Sequence, residues 1–241
     1  MTDTDNRAIK QPEQIKALFD RLAPRYELND HLFSMGIDVW WRQVTARRLA
    51  PQVPGPLLDG ATGSAQLAAA VARRYPDRRV VGLDFSPGML AVGRAKLPRL
   101  GLDQRVELVE GDLLDLPFDD GFFAAATVAF GVRNVADRRR CLHNFFRVLK
   151  PGGRLLVLEF SMPTLPVLAP LYRWYFGAVM PILARLLRSY EAYRYLHESV
   201  RSFPPAERFV AMLREAGFEK VRVTPLTLGI AQLFEAESPL C

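Results

Sequence analysis

Between residues 57 and 160, short apolar runs alternate with stretches in which apolar residues recur every three or four positions. The runs LLDGA (57–61), VVGLD (80–84), VELVEG (106–111), FFAAATV (122–128) and RLLVLEF (154–160) read as buried strands. The patterns between them predict helices over about 65–74, 87–97 and 135–149, the last stopped by Pro151, Gly152 and Gly153. Strands separated by helices of that length specify a mostly parallel sheet covered on both faces. Near the end, a helix over about 206–216 is closed by Gly217. VRVTPL (221–226) and AQLFEAE (231–237) follow it and read as a hairpin completing a seven-stranded α/β sheet.

The flanks differ from this core. Ile15, Leu18, Phe19 and Leu22 repeat at helical spacing, an aromatic-rich stretch around Trp40 and Trp41 follows, and Pro51, Pro54 and Pro56 end the pattern. The expected organisation is a helical cap over 1–50 on the substrate side and an α/β domain over 51–241, with an apolar helical insertion at about 163–200. Arg173 and Arg185 interrupt that insertion, leaving runs too short for the roughly 20 residues of a membrane span.

At 241 residues, with 49% hydrophobic and 24% charged residues, the chain has the size and composition of one α/β domain with a real core, which excludes a disordered protein. Cys141 and Cys241 suggest no disulfide framework, and His31, His143 and His197 show no ligand spacing, so no metal is expected. The N-terminus is polar and acidic where a secretory leader would be basic and then apolar, so a cytoplasmic location is expected. The formal charge is +6, and the excess lies in the second half, concentrated between residues 133 and 201. A field so placed suits an anionic surface or ligand.

In an open parallel sheet the ligand sits beyond the carboxyl ends of the strands, beside the first strand. Here that place is the segment from Asp59 to Ala65, where Gly60 and Gly63 permit a turn that brings backbone N–H groups close to a ligand. Asp84 ends the second strand, placed to accept both hydroxyls of a ribose. Asp112 follows the third, within reach of an adenine amino group, with Leu113 and Leu116 to cover the ring. Acids at three successive strand ends behind a glycine loop point to a ligand. The spacing G-x-x-G does not match the G-x-G-x-x-G of dinucleotide binding, which disfavours a dehydrogenase. Clustered carboxylates also repel a pyrophosphate. They favour a cationic nucleoside, and S-adenosylmethionine fits, with Asp59 pairing with its ammonium.

The same segments resemble the ubiquinone/menaquinone biosynthesis C-methyltransferases: DGATGSA, LDFSPGML (83–90), GDLLDLPF (111–118), FGVRNVAD (130–137) and RVLKPGGRLLVLEFS (147–161). FDRLAPRYELNDHLFSMGID (19–38), AYRYLHESVRSFP (192–204) and LTLGIA (226–231) extend the likeness over nearly the whole chain. The resemblance implies a class I, Rossmann-like S-adenosylmethionine-dependent methyltransferase fold and methylation of a ring carbon of a polyprenylated quinol, demethylmenaquinol above all. It implies Thr62, Asp84, Asp112 and Leu113 as cofactor-binding positions; Phe85, between Asp84 and the next helix, joins them. Three departures stand out: Ala129 replaces a serine contact of some members, Ala65 and Gln66 replace the usual Gly-Asp of ATGTGD, and GIAQLFEA lacks the family's histidine.

Methyl transfer from a sulfonium is an in-line displacement, so positioning supplies much of the catalysis, while the ring carbon needs a stabilised phenolate and a route for protons. Arg133 is the candidate for the phenolate, beside Asn134. His31, Tyr195, His197 and Arg201 are candidates for proton transfer or substrate contact. Phe33, Met35, Trp40 and Trp41, with the stretch 165–187, are expected to house the prenyl tail, and Arg173, Arg185 and Arg188 to meet anionic lipid. The same apolar surface would equally serve a homodimer. Rival readings are a cofactor-binding scaffold without activity, a methyltransferase of another aromatic compound, and a nucleic-acid methylase. The last is weakened because FGVRN stands where amino-group methylases carry an Asn/Asp-Pro-Pro-aromatic motif.

Overall fold

The structure, a computed structural model, describes residues 12–23, 34, 36–161, 177–178, 180–186 and 190–240. His31, Phe33, Met35, Arg173 and Arg188 lie outside them, as does most of the stretch 165–187. The strands are β1 (Leu57–Gly60), β2 (Val80–Asp84), β3 (Val106–Glu110), β4 (Phe123–Ala129), β5 (Leu149–Phe160), β6 (Glu219–Leu226) and β7 (Ala231–Glu237). They form one sheet in the order β3-β2-β1-β4-β5-β7-β6. β1 to β5 run parallel, and β7 lies antiparallel to both β5 and β6, so the predicted hairpin closes the sheet. The α-helices are α1 (Pro12–Leu22), α2 (Ile37–Leu49), α3 (Gln66–Arg74), α4 (Pro87–Lys96), α5 (Arg138–Val148), α6 (Met180–Leu186), α7 (Tyr190–Arg201) and α8 (Ala206–Glu215).

Each face of the sheet has its own core. Trp41 and Leu49 of α2, Val71 of α3 and Tyr193 of α7 pack on one face; Leu142 and Phe145 of α5 and Phe209 and Leu213 of α8 pack on the other. Two boundaries differ from the sequence expectation. α5 begins at Arg138, because the Asp137 side chain accepts the backbone N–H of Arg140 at 2.9 Å and caps the helix there. β5 reaches back to Leu149, through a register shift that absorbs the Pro-Gly-Gly segment.

The exit from β4 is held by a buried ion pair. Glu159 of β5 accepts the backbone N–H of Arg133 at 3.0 Å and its guanidinium at 3.0 Å, and the same guanidinium donates to the Phe130 carbonyl. Phe130 stacks on Phe160 with centroids 4.3 Å apart, and Arg133 lies over both rings. Trp41 closes the group edge-on against Phe160 and donates to the Thr227 hydroxyl at 2.8 Å. Arg133 therefore has a structural task and is absent from the wall of the cleft at the strand tips. The guanidinium expected to meet a phenolate is thus found in a buried ion pair with Glu159. Glu159→Ala, which leaves the guanidinium buried without its carboxylate, is expected to lower stability by about 3–5 kcal/mol. Arg133→Met with Glu159→Leu should recover most of the loss, and urea unfolding checks both.

Candidate active site

The carboxyl ends of β1, β2 and β3 lie side by side, so Asp59, Asp84 and Asp112 form a row at the tip of the sheet. Beside them opens a cleft of about 850 Å³. Gly63, Asp84, Phe85, Asp112, Leu113 and Leu114 line one side; Phe130, Gly131, Asn134, Val135 and Ala136 line the side after β4. Among the described residues that line it there is no Lys, Arg or His. Leu113 faces the cleft as expected, but Leu116 is buried in the core and Leu114 takes its place.

The glycine loop is shaped by the carboxylates. Asp59 accepts the hydroxyls of Thr62 at 2.6 Å and Thr127 at 2.8 Å, one on each oxygen. Asp84 accepts the N–H of Gly63 at 2.7 Å and of Ser86 at 2.9 Å. Burial pushes both carboxyls up to about 6, against the opposing pull of these donors. Gly63, at φ +56, makes the turn as expected, though its N–H points to Asp84. Gly60 has a different reason to be glycine. A Cβ there would come within 2.7 Å of Phe145 and 2.9 Å of Leu113, so it gives room to the cleft floor and takes no part in the turn.

Ala65 precedes α3 at φ +61, the left-handed conformation that the family's glycine adopts freely. The substitution thus costs backbone strain of about 1 kcal/mol as well as a methyl group of space. Ala61 and Phe130, both lining the cleft, are left-handed too, at φ +48 and +57.

A second, polar pocket of about 320 Å³ continues the cleft past Ala61, Gly63 and Ala129. Asp59, Thr62 and Ser64 line it together with Arg42 and Gln66. Arg42 is buried on α2, paired with Asp38 one turn earlier, and lies over Phe130 at 5.3 Å. The side-chain nitrogen of Gln66 is buried without a protein partner. Sequence reading singled out Gln66 as a departure and missed Arg42. The available signal was the polar stripe Asp38, Arg42, Thr45, which falls on one face of α2 alongside buried Trp41 and Leu49.

The chain's two ends meet over the cleft. Ile15 and Phe19 of α1 line it, and the Asp20 carboxylate accepts the Ser86 hydroxyl at 2.6 Å and the Gly88 N–H at 3.0 Å, at the start of α4. Phe19 sits edge-on to Phe85 and to Tyr195 of α7. The Tyr195 hydroxyl donates to the Asn134 side-chain oxygen at 2.8 Å, and burial pushes its own ionisation up to about 12. Of the other candidates, His197 packs near the Tyr193 ring and Arg201 opens onto a separate basic cavity; neither lines the cleft. Among the described residues no group of three or more His, Cys, Asp or Glu could hold a metal, and no helix is long and apolar enough to cross a membrane.

A family profile described as the ubiE/COQ5 methyltransferase family matches residues 6–237. A ubiquinone/menaquinone biosynthesis C-methyltransferase UbiE of Syntrophotalea carbinolica is 45% identical over 230 residues, 95% of this chain and 96% of that one. A demethylmenaquinone methyltransferase of Thermus thermophilus is 44% identical, covering 92% and 100%. Among solved structures, the cyclase SpnF superposes with a TM-score of 0.70 at 18% identity, over 97% of this chain and 98% of that one. A Haemonchus contortus phosphoethanolamine N-methyltransferase 2 in complex with S-adenosyl-L-methionine gives 0.62 at 17%, over 92% and 60%. The likeness to these structures shows a fold shared with class I methyltransferases, and the profile with the close relatives shows the lineage: this chain belongs to the ubiE/COQ5 methyltransferase family.

Proposed function

We propose that the protein methylates a ring carbon of a polyprenylated quinol in menaquinone or ubiquinone biosynthesis, with demethylmenaquinol as the favoured acceptor and S-adenosylmethionine as donor. The observation that carries the donor is the cleft's lining. Its described lining has carboxylates at two strand tips with apolar side chains between them, which suits a cationic nucleoside. The acceptor comes from the relatives' names.

S-adenosylmethionine supplies an activated methyl group when bound. Asp84 would hold the ribose hydroxyls and Asp112 the adenine amino group, with Leu113, Leu114 and Phe85 against the ring. Arg42 and the unpartnered Gln66 amide are donors in the polar pocket and suit the α-carboxylate. Asp59, with both oxygens engaged by hydroxyls, holds Thr62 in place and adds negative potential near the ammonium.

On the acceptor side, Asn134 faces the cleft and Tyr195 fixes its orientation. Tyr195, with its ionisation raised, remains a hydroxyl at neutral pH and acts as a donor. Arg133 supports this wall from behind through Glu159. The prenyl tail leads toward the lipid phase. Val39 and Trp40 of α2 and Leu228 are large exposed apolar residues, and the Trp41–Thr227 bond brings their segments together at the carboxyl end of the sheet. That end is the proposed face for peripheral contact with a membrane.

Three outcomes are expected. Calorimetry of S-adenosylmethionine binding should show affinity falling as pH drops through about 6, where Asp84 gains its proton, and Asp84→Asn should bind weakly with a much flatter profile. Asn134→Ala should lower kcat for a demethylmenaquinol analogue by about 10²-fold, read by mass spectrometry of the methylated product, with donor affinity unchanged. Lipid vesicles should blue-shift the tryptophan fluorescence of the native chain, and Trp40→Ser with Leu228→Ser should remove the shift.

A further inference from the structure

α1 turns two stripes toward its neighbours. Ile15, Leu18, Phe19 and Leu22 form an apolar one, and Lys16 and Asp20, one helical turn apart, form a polar one beside it. Ile15 and Leu18 are buried, and Ile15 and Phe19 line the cleft. Apolar burial is non-directional, so the apolar stripe alone fixes neither the slide nor the tilt of the helix. The polar stripe supplies direction.

Asp20 reaches the first turn of α4. One oxygen of its carboxylate accepts the Ser86 hydroxyl at 2.6 Å and the Gly88 N–H at 3.0 Å, where it also meets the positive end of the α4 dipole. Ser86 is fully buried; its hydroxyl oxygen accepts the Met89 N–H at 3.1 Å and its own N–H goes to Asp84 at 2.9 Å. A single residue thus links the carboxylate of α1 to the carboxylate at the tip of β2. The approach is close: a Cβ on Gly88 would stand 2.9 Å from the Asp20 oxygen and 3.2 Å from the Asp20 Cα. Gly88 has no positive φ, so its lack of a side chain makes room for Asp20 and serves no turn.

Phe19 is the side chain that this contact places. Its ring stands edge-on to Phe85 on the donor side, with centroids 6.1 Å apart, and to Tyr195 on the acceptor side at 5.9 Å. Tyr195 in turn holds Asn134. Lys16 meets Glu110 in an exposed pair, a tie of little weight. We infer that Asp20 is a positioning residue for methyl transfer: by anchoring α1 to the start of α4 it holds Phe19 between the donor and acceptor sides of the cleft. The inference rests on the methyl-transfer reading for the identity of the two ligands and on these contacts for the anchor. Misplacing such a wall by about 1 Å costs on the order of 10²-fold in rate.

The test compares the full native chain with Asp20→Ala, Gly88→Ala and a control, Lys16→Ala. Asp20→Ala removes the anchor. Gly88→Ala keeps the carboxylate and favours the α4 helix, alanine being the better helix former, but its methyl group takes the space that Asp20 occupies. Thermal melts check that the variants fold. Without ligand, hydrogen exchange of the α1 amides should be about tenfold faster in Asp20→Ala and Gly88→Ala and unchanged in the control, with β4 and β5 protected as in the native chain. Both variants should bind S-adenosylmethionine about tenfold more weakly by calorimetry and lower kcat for a demethylmenaquinol analogue at least about tenfold, while the control stays within about twofold. Unchanged exchange in α1 would overturn the anchor. Faster exchange with native affinity and kcat would make Asp20 a structural tie alone and overturn the positioning role, as would an equal loss in the control. A native chain that binds no S-adenosylmethionine while the exchange result holds would strike the donor reading and leave the anchor standing.

Discussion

Two carboxylates kept out of water on adjacent strands, Asp59 on β1 and Asp84 on β2, constrain everything built around them. Burial lifts both to about 6, so at neutral pH each is ionised at a cost on the order of 3 kcal/mol. The sign follows from linkage: the folded chain holds these protons more tightly than the unfolded chain, so the cost is complete above pH 6 and fades as pH falls toward 4. The donors that limit it are Thr62, Thr127 and the N–H groups of Gly63 and Ser86, which together make up the loop after β1 and its neighbours. The loop has its shape because the carboxylates need those donors. The left-handed turns at Ala61, Gly63 and Ala65 are the backbone consequence.

That dependence explains what could be read in the sequence and what could not. Acids at three strand ends, a glycine loop and alternating apolar runs are local patterns, and each lies where the pattern placed it. The role of a charged side chain depends on which neighbours share its burial, and the pattern carries no such information. The sequence suggests Arg133 as a phenolate ligand and carries no sign of its pairing with Glu159, distant along the chain. Arg42 is marked in the sequence only by the polar stripe of α2, yet it is buried and lines the polar pocket. Gly60 shows the same limit in the backbone: its spacing suggested a turn, and its neighbours Phe145 and Leu113 require a bare Cα.

Strain and support are distributed unevenly around the cleft. Phe130, a bulky residue in a left-handed conformation, lies between the stacked Phe160 ring and the guanidiniums of Arg42 and Arg133. Such a conformation persists only where the surroundings over-determine it. Here the buried pair holds one side of the residue and α2 the other, and the product is a fixed wall on which Asn134 is presented. The opposite lip includes α1, whose Ile15 and Leu18 are buried. α1 is attached through Asp20 to the start of α4, through Lys16 to Glu110 and through the Phe19 ring contacts. Exposed ion pairs of this sort contribute little to stability. The fixed wall suits a site that must orient its ligand.

The cyclase SpnF covers nearly the whole chain, so the scaffold by itself does not select a reaction. What selects it must lie in side chains that the scaffold leaves free to vary. On the donor side these are few, because the carboxylates and their donors fix the loop. Gln66 stands where the family resemblance places an acid, and it offers a donor to the polar pocket that Arg42 also lines. A donor pair there favours a carboxylate over an ammonium, so the chain would hold the amino-acid end of its nucleoside by the acid group. Weakened attraction at one end of the ligand is then offset at the other, and an acid-to-amide change that reads as a loss in sequence becomes a change of grip.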